Sequence, residues 1–153
     1  MVKKQVSSSI ICEILEKVLA SEYVFYTKIR NYHWNVKGEN FNDLHLFFEK
    51  QYEIFDVVID DVAERIKQLD GFADATLDNF LKNSLISEDD KKLECSDMIK
   101  HLTFDCDKII VLLNSSIKKI NKFDDFGTID FLTNVLQKHE KLHWQLSSML
   151  DKK

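Results

Sequence analysis

Five side chains that could bind a metal ion lie close together in the sequence. Two are imidazoles and three are carboxylates: His33, His45, Glu49, Asp60 and Glu64. Imidazole and carboxylate ligands with little sulfur suit iron or another borderline divalent metal. Residues four apart share one face of a helix, so Glu49 lies on the face of His45, and Glu64 on the face of Asp60. The pattern favours a metal site.

The spacing of these residues predicts that two copies of the chain build the site. His33 and His45 lie six residues either side of position 39, beside the helix-breaking Gly38. An antiparallel helical hairpin turning there brings the two imidazoles level. Asp60 lies 15 residues beyond His45, which is about 22 Å along a helix at roughly 1.5 Å per residue. A second hairpin packed antiparallel across a two-fold axis would bring Asp60 and Glu64 opposite the imidazoles, giving two equivalent sites per dimer.

Each of these residues also has an ordinary interpretation. A lone histidine in a helix is more often a hydrogen-bonded core or surface group than a metal ligand. Asp60, its neighbour Asp61, and Glu64 could form a solvated helix face. Trp34, beside His33, is of a type that more often belongs to the core than to a site. Periodicity alone therefore leaves both interpretations open.

The composition predicts that long helices position these residues. Among 153 residues there is no proline, and glycine occurs only at Gly38, Gly71 and Gly127. Proline breaks helix interiors and glycine weakens them, so their scarcity indicates an all-α protein. Hydrophobic residues make up 44% and charged residues 31%, a balance typical of a globular chain. The length suits one domain over residues 1–153.

Apolar residues recur at helical spacing in four long segments and one short one. The second long helix carries apolar residues from Leu44 to Ile66, and the sequence SEDDKK after the short segment reads as a solvated connection. We expect the first helix over about Ser9 to Val36 and the second to end at Gly71. One or two helical turns follow over Thr76 to Leu81. The third helix should run from about Leu93 to Lys122 and, after a break at Gly127, the fourth from Ile129 to Leu150. The predicted fold is a ferritin-like four-helix bundle with a short extra helix in the crossover between helices two and three.

Charge, apolar runs and cysteines narrow the functional classes. The net charge of −5 does not favour nucleic acid as the main partner, because DNA affinity depends on neutralising phosphates. The sequence shows neither a secretory signal nor an apolar run long enough for a membrane. Three cysteines without a CxxC pair suit packed thiols in a reducing compartment. We therefore expect a cytoplasmic protein with no membrane association.

The segments HWNVKGENF, LH and DDVAERI, with the intervals between their histidines and acids, resemble the motif region of the Dps family. Dps proteins are mini-ferritins, known as DNA-binding proteins from starved cells. The resemblance covers essentially the whole chain, and it is weaker but visible in DFGTIDFLTNVLQKHEKLHW.

The resemblance implies a hollow homododecamer with tetrahedral symmetry and ferroxidase sites at its two-fold interfaces. In that arrangement His33 and His45 come from one subunit, and Asp60 and Glu64 come from its partner. The family usually has aspartate where this chain has Glu49. Glu49 is thus either a direct metal ligand or a hydrogen-bond partner of one.

The implied reaction is oxidation of Fe(II) to Fe(III), preferably by hydrogen peroxide and more slowly by dioxygen. Ferric mineral would then grow inside the hollow oligomer, which protects the cell against oxidative damage. Trp34 resembles the tryptophan beside the family's site, which implies a nearby electron donor. Asp125 and Asp130 match acidic positions that line three-fold pores; a position in the first turn of the last helix gives Asp130 a capping role as the alternative.

Two other functions have less support in the sequence. A di-iron or di-manganese site inside one bundle needs two Glu-x-x-His pairs, and the chain offers only Glu140 with His143; we interpret His139 and His143 as a surface pair. DNA compaction would require lysine-rich extensions. The termini provide only Lys3, Lys4, Lys152 and Lys153, so we expect DNA binding to be weak or absent.

Overall fold

The protein consists of long α-helices joined by short connections. The computed structural model describes residues 2–89 and 92–150, with side chains from residue 6 onward. The elements are α1 Val2–Asn35, α2 Phe41–Gln68, α3 Leu77–Asn83, α4 Cys95–Ile120, a single 3-10 turn Asn121–Phe123, and α5 Phe126–Met149. Residues 2–89 and 92–150 contain no β-strand, so the all-α prediction is confirmed. None of the helices in these ranges is long and apolar enough to cross a bilayer.

The four long helices form a bundle with one crossover connection. α1 packs against α2 and α4, and α5 packs against α4 and α2. The short α3 lies against α1, within the connection that leads from α2 to α4. This is the predicted four-helix bundle with a short extra helix in its crossover.

Aromatic and aliphatic side chains from all four long helices fill the core. Phe25 of α1 and Phe55 of α2 meet edge to face, with ring centroids 5.3 Å apart, and both are fully buried. Burying one such side chain contributes about 1.5–3 kcal/mol. Core packing therefore stabilises these helices more than the propensity of any single residue does.

Two glycines fix the ends of the α1–α2 hairpin. Gly38 lies between the end of α1 and the start of α2, where the sequence predicts a helix break. It adopts φ +106°, a conformation that favours glycine. Gly71 lies where α2 ends, and its N–H donates to the carbonyl oxygen of Ile66. A Cβ atom at Gly71 would lie 2.7 Å from the sulfur of Cys12, so glycine is required there for α2 to approach α1.

The predicted starts of the first and last helices were wrong. α1 begins at Val2 rather than near Ser9; Val6 in this extension is exposed, so no apolar periodicity marks it. α5 begins at Phe126, which places Gly127 inside its first turn. Amide groups of a first turn lack intrahelical partners, so glycine is tolerated there. The actual break is at Asp124, with φ 56°.

The sequence predicts that the crossover segment SEDDKK is solvated, but Asp89 within it is partly buried, and Asp90 and Lys91 lie outside the described residues. Asp89 accepts hydrogen bonds from the hydroxyl of Tyr32 and from His101, and it lies 3.4 Å from the ammonium of Lys28. That ammonium also contacts buried Asp105 at 2.5 Å. Burial alone would raise the pKa of Asp89, but these hydrogen bonds and the positive charge outweigh it and hold the pKa below its ordinary value. Asp89 thus ties the crossover to α1 and α4.

Candidate metal centre

The turn between α1 and α2 brings His33 and His45 into direct contact. His33 lies in the last turn of α1, and His45 lies in the first turns of α2. Their rings stack with centroids 3.8 Å apart and an angle of 19° between planes. The prediction that these two imidazoles lie level near the closed end of the hairpin is therefore correct for the single subunit.

Each imidazole is oriented by the backbone of the other residue. Nδ1 of His33 lies 2.9 Å from the carbonyl oxygen of His45, and Nδ1 of His45 lies 2.9 Å from the carbonyl oxygen of His33. A carbonyl oxygen only accepts, so each Nδ1 must carry the proton and donate it. In a neutral imidazole bonded this way Nε2 keeps its lone pair, which is the form in which a histidine binds a metal.

Aromatic side chains and one arginine surround the imidazole pair. The ring of Phe41 stacks on His45 at 5.0 Å, and the ring of Tyr52 meets His33 edge-on at 5.2 Å. The guanidinium of Arg30 lies 5.0 Å from the ring of Trp34. Trp34 is 66% exposed, so in the subunit it is not a core aromatic. Phe41 thus packs on one imidazole and Tyr52 on the other.

The predicted carboxylates lie along α2 at increasing distances from the imidazoles. Glu49 is half-buried one turn from His45, while Asp60 and Glu64 are exposed further along the same continuous helix. The helical rise separates Asp60 from His45 by about 22 Å. Within the described ranges of one subunit, no three histidine, cysteine or acidic side chains are placed to hold a metal. The subunit assembles the imidazole half of the predicted site and holds Asp60 and Glu64 apart from it.

Asp60 borders a cleft between α1, α2 and α3. The cleft has a volume of about 460 Å³, and its walls include Tyr23, Phe80, Ala63 and Asp56. The carboxylate half of the predicted site therefore lies beside a mostly apolar concavity, at the opposite end of α2 from the imidazole half.

The core of the bundle contains a polar cluster that the sequence interpretation missed. His139 is 0% exposed, and its Nε2 lies 2.8 Å from Oε1 of Glu22, which is also 0% exposed. The thiol of Cys106 donates to the carbonyl oxygen of His139 at 3.1 Å. The interpretation of His139 and His143 as a surface pair was therefore wrong, since only His143, 3.1 Å from Asp107, lies near the surface.

The apolar stripe of α1 contains the signal that could have revealed this cluster. Glu22 occupies the next position in the series formed by Leu15, Val18, Phe25 and Ile29, all of which are buried. An acid inside such a stripe needs a buried partner. Burial also raises the pKa of the Cys106 thiol, which keeps it protonated.

Asp125, one of the two predicted pore residues, caps α5. Its carboxylate accepts the backbone N–H of Thr128 at 3.1 Å and forms an ion pair with Arg65 at 3.0 Å. Asp130 is exposed and lies beyond the first turn of α5. Capping thus belongs to Asp125 rather than to Asp130, while a pore role for either residue stays a prediction.

Substituting the two acids separately distinguishes capping from pore function. Asp125→Ala should lower the free energy of unfolding by about 1 kcal/mol, because it removes an N-cap. Asp130→Ala should leave stability unchanged and, if Asp130 lines a pore, slow the entry of Fe(II). Guanidinium unfolding and the rate of iron uptake measure the two effects. Equal losses of stability in both variants would contradict this assignment.

This bundle, with its crossover helix and paired imidazoles, defines a protein of the ferritin-like class. The family model of the ferritin-like domain matches residues 12–153. Within that class, the chain belongs to the Dps family. It is 33% identical over 141 residues to DNA protection during starvation protein 2 of Bacillus anthracis, covering 92% of this chain and 97% of that relative.

Other relatives and solved structures agree with this assignment. The DNA protection during starvation protein of Helicobacter pylori is 32% identical over 139 residues, covering 90% of this chain and 96% of the relative. The structure of the Dps protein of Vibrio cholerae superposes with a TM-score of 0.93 at 27% identity, covering 96% and 92% of the two chains. That protein is described as a member of a broad superfamily of ferritin-like diiron-carboxylate proteins.

Proposed function

We propose that the protein oxidises Fe(II) to Fe(III) at a site shared by two subunits and stores the ferric product in a hollow assembly. The observation that carries this proposal is the stacked pair His33 and His45, whose reciprocal hydrogen bonds leave both Nε2 atoms available to a metal. Two neutral nitrogen ligands suit Fe(II) but leave its charge uncompensated. In this proposal a partner subunit's Asp60 and Glu64 supply the carboxylates that complete the site.

The proposed dimer packs two α1–α2 hairpins antiparallel across a two-fold axis. Exposed apolar side chains on α2 and α3 support such a contact: Leu46, Val57, Leu77 and Leu81. Burying these side chains against the partner would stabilise the proposed dimer. The two-fold arrangement generates two equivalent sites per dimer, and membership of the Dps family supports a homododecamer built from six such dimers.

The ligand types fit the proposed reaction. Carboxylates are hard ligands and stabilise Fe(III) more than Fe(II), so Asp60 and Glu64 favour the oxidised product. With hydrogen peroxide as the preferred oxidant, two Fe(II), one peroxide and two protons give two Fe(III) and two waters. Removing Fe(II) and peroxide together prevents their reaction to hydroxyl radical, which would protect a cytoplasmic environment. Trp34, beside His33, is proposed as a nearby electron donor.

Peroxide-driven oxidation of Fe(II), followed by ferric absorbance, tests this function. Native protein should oxidise Fe(II) much faster than buffer and keep the product in solution. Asp60→Ala should reduce the rate at least tenfold, because a charged ligand is lost. Asp61→Ala is the matched control, since it removes the same charge from the neighbouring exposed position. Native protein that oxidises iron no faster than buffer would refute the proposal.

DNA compaction is the second candidate, since the relatives in Bacillus anthracis and Helicobacter pylori are named for the protection of DNA. The net charge of −5 opposes it. The terminal lysines on which it would depend lie outside the described side chains. We therefore rank it below iron oxidation.

A further inference from the structure

Three tyrosines form a continuous row in the groove between α1 and α2. Beginning at the edge of the His33 ring, the ring of Tyr52 follows at 5.2 Å, and that of Tyr26 lies 6.3 Å from Tyr52. The ring of Tyr23 lies 6.1 Å from Tyr26. All of these separations are in the range of direct aromatic contact. We call Tyr52, Tyr26 and Tyr23 the tyrosine row.

The two ends of the tyrosine row lie at the two halves of the predicted site. Tyr52 contacts His33, which belongs to the imidazole half. Tyr23 stacks on Phe80 at 4.3 Å and lines the cleft that Asp60 borders. In the proposed dimer these halves belong to different sites, because Asp60 serves the partner. The row therefore runs through one subunit from one ferroxidase site to the other.

Arg30 holds the middle of the row in place. Its Nη1 donates a hydrogen bond to the phenol oxygen of Tyr26 at 2.7 Å. The guanidinium lies 5.5 Å from the ring of Tyr26 and 5.3 Å from the ring of Tyr52. This positive charge disfavours a second positive charge on either ring. Oxidation of these tyrosines must then be accompanied by loss of the phenol proton, and all three rings are partly exposed to the water that would take it.

We propose that the tyrosine row carries an electron between the two ferroxidase sites of a dimer. This inference rests on the proposed function. Peroxide bound at one site takes one electron from the Fe(II) there and a second from Tyr52, whose phenol proton passes to water. Fe(II) at the other site reduces the row through Tyr23 and Tyr26, and a proton from water restores the phenol. In total, two Fe(II), one peroxide and two protons give two Fe(III) and two waters.

The row would matter most when each site holds a single iron. One Fe(II) supplies one electron, whereas reduction of peroxide to water needs two. Without a second donor, Fe(II) and peroxide give Fe(III), hydroxide and a hydroxyl radical. A path to the iron of the symmetry-related site supplies the missing electron and prevents release of that radical.

The test compares the native assembly with the triple variant Tyr23→Phe, Tyr26→Phe and Tyr52→Phe. Phenylalanine keeps the ring packing and removes the oxidisable phenol. With one Fe(II) per site and added peroxide, native protein should show a transient tyrosyl signal by electron paramagnetic resonance. The triple variant should lose that signal and release several-fold more spin-trapped hydroxyl radical.

Tyr32→Phe is the matched control, since Tyr32 is the one remaining tyrosine and bonds to Asp89 outside the row. It should behave as native protein does in both radical measurements. A triple variant that equals native protein in tyrosyl signal and hydroxyl-radical yield would contradict electron transfer along the tyrosine row. It would leave the proposed ferroxidase function intact. Native protein that fails to oxidise Fe(II) would overturn both proposals together.

Discussion

A mixture of His33→Ala and Asp60→Ala subunits is expected to recover ferroxidase activity that neither variant has alone. In a mixed dimer, one site receives both damaged residues, and the other receives intact His33 and intact Asp60. Equal random mixing makes half of the dimers mixed, so about one quarter of all sites should be native. Co-refolded subunits, assayed for peroxide-driven Fe(II) oxidation, should therefore show about a quarter of the native rate.

A second mixture provides the control. His33→Ala mixed with His45→Ala should stay inactive, because both residues belong to the half supplied by one subunit, and no pairing restores that half. Recovery in this mixture, or none in the first, would show that the site is not divided between subunits as proposed.

Replacing His139 by leucine is expected to destabilise the subunit strongly. The change leaves the Glu22 carboxylate, which is fully buried, without its 2.8 Å partner. Removing one member of a buried pair costs about 3–5 kcal/mol. Guanidinium unfolding, followed by circular dichroism at fixed subunit concentration, measures the loss; the concentration must be fixed because assembly contributes to apparent stability.

Two further variants test whether loss of the Glu22–His139 contact causes the loss of stability in His139→Leu. His143→Leu, which removes a partly exposed contact with Asp107, should cost no more than about 1 kcal/mol. Adding Glu22→Leu to His139→Leu should restore most of the stability, since two apolar side chains then replace the pair and no buried carboxyl group is left without a partner. A double variant no more stable than His139→Leu would exclude this explanation.

The helical architecture could be predicted because it depends on features that the amino-acid sequence itself contains. The absence of proline, the positions of Gly38 and Gly71, and the apolar periodicity define the helices and their order. Only the packed part of a helix carries that periodicity, which is why the exposed start of α1 near Val6 was missed. The start of the last helix was predicted wrongly at Gly127, because the sequence does not distinguish a glycine in a first helical turn from a glycine at a helix break.

The polar interior was harder to predict than the helices. Whether Asp89 is solvated depends on Tyr32, Lys28 and His101, which are distant in sequence and meet only through tertiary packing. The partnership of Glu22 with His139 spans most of the chain in the same way. Among the site residues, the contact of His33 with His45 followed from the hairpin, whereas the placement of Asp60 and Glu64 opposite them stays a prediction about a dimer.

The proposed division of the metal site along α2 would have a thermodynamic consequence for assembly. The folded subunit orders His33 and His45 before any metal arrives, but it keeps Asp60 at the far end of the same helix. If iron binds the completed site more tightly than either half, linkage requires the subunits to associate more tightly by the same factor when iron is bound. Iron would then act as an effector of quaternary structure, because the bound iron would stabilise the oligomer that stores it.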